Sequence, residues 1–231
     1  MISLLGRILD FLFPRQCAVC ERLLAVEEDC ICASCNLHLE RTLFSRNPYD
    51  NEMAKLFWKL LPVERCAALF YYQGGSAQSH IIYHLKYNNR PDIGIAMGKL
   101  AAAEFMADGF FDDIDWIIPL PLAKNRKQQR GYNQSDMIAQ GVENITGIKT
   151  RTDVVGRKKY LESQTHLQTI ERQENVKGVF ILKKPEAIHG KHILIIDDIC
   201  TTGASIVSLG EELCKAGDVK ISILTLGFAR S

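Results

Sequence analysis

Apolar positions along the chain alternate between two rhythms. Short aliphatic or aromatic runs, at Cys66–Tyr72, Trp116–Leu122, Thr152–Gly156, Val179–Leu182, His192–Ile196 and Val219–Leu226, predict strands. Between them lie segments with apolar residues three and four apart, which predict helices. These are Ser76–Tyr87 (inward Ile81, Ile82, Leu85), Asp92–Asp108 (capped by Asp92) and Asn133–Ile145. The last is Thr202–Ala216, with Ile206, Val207, Leu209 and Leu213 inward. Leu37 to Pro62 reads as an irregular connector with a turn at Asn47–Asn51. Strands alternating with helices predict an α/β fold, a mostly parallel sheet covered on both faces. In such a sheet ligands bind beyond the C-terminal strand ends.

One strand end carries unusual chemistry. Ile193-Leu-Ile-Ile196 runs into Asp197-Asp198, then Ile199-Cys200, then Thr201-Thr202-Gly203-Ala204-Ser205, where a helix begins. Adjacent carboxylates repel, so folding alone has little use for them there. They suit vicinal sugar hydroxyls, or a magnesium shell held through water. The glycine, the hydroxyls and the free N–H groups of the helix start suit a phosphate. A ribose 5-phosphate combines both features. The bland alternative is a buried strand and an ordinary helix cap at Thr201 or Thr202. Cys200 reads as a buried, inert thiol.

Composition narrows the class. The chain has 231 residues, 47% hydrophobic content and a net charge of +1. No global basic field argues for a nucleic acid or membrane partner, and no stretch approaches a membrane span. Residues 1–13 are apolar but interrupted by Arg7 and Asp10, which predicts an amphipathic helix instead of a signal peptide. Without an export signal a cytoplasmic protein with reduced thiols is expected.

Five of the eight cysteines fall in nineteen residues: Cys17-x-x-Cys20, Cys30, and Cys32-x-x-Cys35. Two such knuckles suit a tetrahedral, structural zinc site, with Cys30 able to replace Cys32. A redox pair is the competing reading, but no βαβ pattern surrounds either knuckle. His38 is near enough to compete and reads as solvated. Cys66 and Cys214 read as core residues. This divides the chain into residues 1–45, a helix with a zinc module, and residues 46–231.

A second segment, Ala123 to Gln134, follows the Pro119-Leu120-Pro121 strand end and holds Lys124, Arg126, Lys127 and Arg130 with no acid. It reads as a mobile loop that could close over a pyrophosphate, as a plain solvated loop, or as a contact for a nucleic acid backbone.

The acidic doublet and its turn resemble the signature of type I phosphoribosyltransferases, which bind phosphoribosyl pyrophosphate (PRPP). The whole chain resembles the ComF/GntX family. The residues that carry this are Phe13-Pro14, the two knuckles, Tyr83-His84-Leu85-Lys86-Tyr87, Pro119-Leu-Pro-Leu122 and Arg126. They continue through Arg130-Gly-Tyr-Asn-Gln134, Gln164, Arg172, Asn175-Val176 and Gly178-Val-Phe180 to the acidic loop. The resemblance implies a type I phosphoribosyltransferase fold with a small zinc module. It assigns PRPP binding to Asp197, Asp198, Thr201, Thr202, Gly203, Ala204, Ser205 and Lys86. It assigns catalysis to Asp197, Asp198, Arg126 and Arg130, with Arg126, Arg130 and Lys86 facing pyrophosphate and magnesium arriving with PRPP. In some bacteria the family is tied to DNA uptake during competence. Two functions follow as expectations: phosphoribosyl transfer to an unspecified acceptor, or a PRPP-sensing accessory protein that engages single-stranded DNA or competence-machinery partners. Acceptor choice would rest on residues 62–75 and 151–185.

Overall fold

The computed structural model describes residues 15–158 and 178–230. The expected helix over residues 1–13, Phe13-Pro14, Gln164, Arg172 and Asn175-Val176 lie outside them.

The core is a four-stranded parallel sheet in the order β1-β6-β5-β2. Its strands are β1 (Val63–Tyr72), β2 (Trp116–Pro119), β5 (His192–Cys200) and β6 (Lys220–Ala229). Ile193, Leu194, Ile195 and Ile196 are all fully buried. Successive strand side chains point to opposite faces, so the sheet is covered on both sides, as its unbroken apolar runs predict. β1 is longer at its start than the Cys66–Tyr72 expected, and β5 runs on through the doublet to Cys200.

Both sheet edges are closed. Thr42 N–H donates to Leu69 O at 3.3 Å and Tyr71 N–H to Glu40 O at 2.9 Å, covering the outer edge of β1. On the far side Ile117 N–H donates to Lys149 O at 3.0 Å, and Arg151 N–H to Ile117 O at 2.8 Å. Neither edge is left to recruit another strand.

Helices flank the sheet. α4 (Pro91–Met106) crosses α6 (Gln134–Thr146) at two glycines, Gly98 and Gly141. A Cβ on Gly141 would meet Ile95 O at 2.2 Å, so only glycine permits this approach. α7 (Ala204–Cys214) packs against α2 (Glu52–Phe57) and the turn after it, where Gly210 faces Leu61. α3 (Ser79–Tyr87) buries Ile81, Ile82 and Leu85, and α7 buries Ile206, Leu209 and Leu213, while Val207 is only partly covered. A small antiparallel pair, β3 (Val155–Arg157) and β4 (Phe180–Leu182), stands apart from the main sheet.

Three expectations are corrected. The stretch read as a connector contains α2, whose first turn is capped by Asn51 accepting from Ala54 N–H at 2.9 Å. Six residues are too few for a period to show. Asp92 does not cap α4; Arg90 does, because Pro91 takes the first helical position, where its missing N–H costs nothing. Asp92 instead pairs with Arg90 at 2.6 Å. The basic segment read as a loop is a helix, α5 (Lys124–Arg130), closed by Gly131 at φ +80°.

The cysteine module is tied into the body. Its short helix α1 (Ala33–Leu37) supplies Asn36, whose backbone and side-chain oxygens accept from Arg41 at 2.7 and 2.6 Å. The same guanidinium reaches Glu104 of α4 at 2.6 Å. Cys17, Ala18, Cys30, Ile31 and Cys32 belong to one continuous apolar core with the sheet.

Candidate phosphoribosyl site and cysteine cluster

β5 delivers Asp197 and Asp198 to the C-terminal edge of the sheet, between the ends of β6 and β2. Asp198 is almost fully buried at 9% exposure. Its carboxylate accepts a 2.8 Å ion pair from the ammonium of Lys86 on α3. Asp197 accepts from the Ser135 hydroxyl at 3.1 Å and from the Asp198 N–H at 2.8 Å. Enclosure, followed by the neighbouring Asp198 charge, raises the Asp197 carboxyl to about 7. The Asp198 N–H, Lys86 and Ser135 oppose that rise.

The turn after β5 ends at Gly203, the cap residue of α7, at φ +73°. A Cβ there would come within 2.7 Å of the buried Phe57 ring. Neither Thr201 nor Thr202 caps the helix in the ordinary way: α7 has no side-chain cap bond, and both threonines are exposed. Thr202 Oγ1 makes only a long, 3.5 Å contact with Ala204 N–H. Thr201, Thr202, Ala204 and Ser205 thus surround an eleven-residue helix start whose donors suit an anion. Cys200 is buried at 1% exposure, and burial pushes its thiol up to about 12, which makes it inert.

Cations ring one side of the doublet. Arg126 and Arg130 on α5 line a cleft of about 400 Å³ together with Lys86, Tyr87, Asn89 and Gln129. Arg130 donates to Gln134 at 2.8 Å and stacks over Tyr87 at 5.5 Å. Lys127 turns the other way, to Asp136 at 3.7 Å. Lys86 lines the same cleft as Arg126 and Arg130, and its ammonium also pairs with Asp198 at 2.8 Å.

Two residues escaped the sequence reading. Arg157 on β3 donates to Pro121 O at 3.3 Å. Desolvation and then Arg126 hold its guanidinium below the usual value, while Asp197 opposes them, so it stands among the same charges. Nothing local marks it, because the antiparallel β3–β4 pair brings it in from a distance. Ser135 was legible only as the residue after Arg130-Gly-Tyr-Asn-Gln134.

The sulfurs of Cys17, Cys20, Cys32 and Cys35 lie within 4.8 Å of one another. Cys30 is not among them; it is buried at 3% exposure, and burial drives its thiol up to about 12. Bonds of about 2.3 Å to a tetrahedral zinc place sulfurs about 3.8 Å apart. The Cys20 and Cys32 sulfurs are 3.8 Å apart. Cys32 N–H and Val19 N–H donate to the Cys17 sulfur at 3.3 and 3.5 Å. Cys35 N–H donates to the Cys32 sulfur at 3.4 Å. The donor set therefore fits a four-thiolate metal ion. His38 stays outside, its ring against Ser34 O at 2.8 Å.

No protein-family model matches the chain. Among curated proteins it is similar to DNA utilization protein YhgH of Salmonella typhi, at 28% identity over 64% of this chain and 66% of that protein. Competence protein F of Haemophilus influenzae is 32% identical over half of each chain. Competence protein ComFC of Bacillus subtilis is 26% identical over 48% of this chain and 43% of that one. The match thus spans just under two thirds of the first relative and about half of the others. Solved structures with some likeness include two adenine phosphoribosyltransferases. One, from Saccharomyces cerevisiae, has 16% identity and a TM-score of 0.32, covering 55% of this chain and 66% of that one. The other has 17% identity and a TM-score of 0.34, covering 56% and 76%. The chain, with its parallel sheet flanked by helices and its N-terminal cysteine cluster, is thus similar over about half to two thirds of its length to proteins named for competence and DNA utilization.

Proposed function

We propose that the protein binds PRPP and transfers its phosphoribosyl group to an acceptor nitrogen. One observation carries this: an acidic pair at a parallel-strand end leads directly into a glycine-capped helix start that has no side-chain cap. Asp197 and Asp198 accept hydrogen bonds from the ribose hydroxyls. The backbone of Gly203 to Ser205, with Thr201 and Thr202, holds the 5′-phosphate. Arg126, Arg130 and Arg157 neutralise the pyrophosphate.

In the transfer the acceptor nitrogen's lone pair forms a bond to the anomeric carbon. The bond from that carbon to pyrophosphate breaks, and its electron pair leaves on the pyrophosphate oxygen. The proton on the acceptor nitrogen passes to water. Positioning and electrostatics supply most of the effect. Magnesium, when bound with PRPP, adds countercharge to the pyrophosphate; the doublet offers hard oxygen donors that fit it, once Lys86 releases Asp198. Zinc at Cys17, Cys20, Cys32 and Cys35 is structural, since four thiolates leave no open position.

The test is calorimetry with PRPP and magnesium, followed by pyrophosphate release across a panel of bases and amines. Binding with release is expected. No PRPP binding by the zinc-loaded chain removes the reading.

A second reading rests on α5, which presents Lys124, Arg126, Lys127 and Arg130 with no buried residue. It makes the protein a PRPP sensor that engages single-stranded DNA. Binding of an oligonucleotide would then weaken with salt and fall when the four cations are replaced by alanine. Binding that survives this replacement excludes it.

A further inference from the structure

We propose that the groove between the end of β1 and α3 is the acceptor subsite, and that it takes a planar nitrogen heterocycle. This rests on the phosphoribosyl reading of the neighbouring site. The groove has a volume of about 420 Å³ and is lined by Tyr72, His80, Ile82, Tyr83, Lys86 and Tyr87, among others. That volume falls within the roughly 300–1,000 Å³ of small-molecule sites.

Its position follows from the sheet. β1 and β5 are parallel members of one sheet, so Tyr72 and Asp198 stand at the same edge. Lys86 joins three features: it lines the groove, lines the basic cleft with Arg126 and Arg130, and bonds Asp198 at 2.8 Å. A ribose held at Asp198 with its pyrophosphate toward the arginines puts the anomeric carbon near Lys86. The groove adjoins that point through Lys86, which lines it.

Its chemistry names the ligand class. Tyr83 and Tyr87 lie one helical turn apart and are 54% and 64% exposed. Their ring centroids are 5.3 Å apart at 45°. Folding gains little by leaving two large rings in water on a helix that buries Ile81, Ile82 and Leu85 elsewhere. A flat π-system can lie on them, and the Arg130 guanidinium, 5.5 Å from the Tyr87 ring, deepens the platform. Ser79 and His80 supply polar groups for ring nitrogens and exocyclic substituents. An aliphatic amine would leave the rings unused.

The experiment is saturation-transfer NMR on the zinc-loaded full chain, with adenine and uracil as probes, with and without PRPP and magnesium. Calorimetry with PRPP runs in parallel. At least one base is expected to receive saturation. Tyr83→Ala with Tyr87→Ala should weaken it about tenfold, the scale of one lost stacking contact. Tyr83→Ala alone, which leaves the lining of the basic cleft intact, should keep PRPP affinity within about twofold. Tyr83→Phe with Tyr87→Phe should keep base binding, since the rings remain. The proposal is overturned if neither base binds while PRPP does, or if the alanine pair leaves base affinity unchanged. It is also overturned if the alanine pair abolishes binding of an oligothymidylate while neither free base binds, which would make the rings a nucleic acid platform. Failure of PRPP alone, with bases still bound, removes the sugar-phosphate reading and leaves the groove standing.

Discussion

Lys86 lies 2.8 Å from Asp198, on a helix more than a hundred residues earlier in the chain. The ammonium occupies a carboxylate that the proposed ligand needs, so binding must displace it or use it. It also offsets the repulsion that Asp197 and Asp198 would otherwise exert on each other.

Breaking this pair by Lys86→Met should lower the unfolding free energy by about 1–3 kcal/mol, because a nearly buried carboxylate loses its partner. Asp198→Asn alone should cost less. The two together should cost less than their sum, since the interaction is then counted once. Urea unfolding of all four proteins checks this; strict additivity would contradict the pair's energetic role.

Asp197 sets a pH dependence. Its folded pKa, about 7, lies above the usual carboxylate value, so the folded chain holds a proton that the unfolded chain has lost. Its contribution therefore favours folding at acidic pH and declines as pH rises toward and through 7. Asp197→Asn should stabilise the protein at pH 8 by about 1–2 kcal/mol, and hardly at pH 4.5. Thermal melts at both values measure the difference. The same variant should weaken PRPP binding at least about tenfold, read by calorimetry.

Gly203→Ala should cost at least about 2 kcal/mol, since it adds positive-φ strain to a collision with Phe57. Adding Phe57→Leu should not rescue ligand binding, because the backbone strain remains. Chemical denaturation and PRPP titration separate the two effects.

The cysteine cluster should hold one zinc per chain by elemental analysis. Serine at Cys17, Cys20, Cys32 or Cys35 should reduce that content, while Cys30→Ala should leave it intact, because Cys30 stands outside the sulfur cluster. A chelator should destabilise residues near the cluster first. Zinc lost on changing Cys30 would reassign the fourth ligand.

What could be read in advance depended on how local the cause was. The Ile193–Ile196 run and the doublet after it lie in one stretch, so strand, edge and charge were all visible. The alternation of patterns sufficed for the parallel sheet. The two Cys-x-x-Cys knuckles already favoured Cys32 with Cys30 as the alternative, and the fold gathers the sulfurs of Cys17, Cys20, Cys32 and Cys35 while leaving Cys30 outside. The Lys86–Asp198 pair and the arrival of Arg157 depend on tertiary contacts between distant segments. No periodicity records those. Asp92 looked like a cap by residue type, but Pro91 fixes the chain one step earlier.

The strand order carries a consequence for synthesis. β6 comes after every other strand in the chain, yet it lies between β1 and β5 and hydrogen-bonds to both. While the chain emerges from the ribosome, the first strand has no neighbour in the sheet, and the segment bearing the two acids has only β2 beside it. Competence to bind should therefore arise only once β6 has been made, and loss of that ten-residue strand should abolish assembly outright instead of trimming an edge.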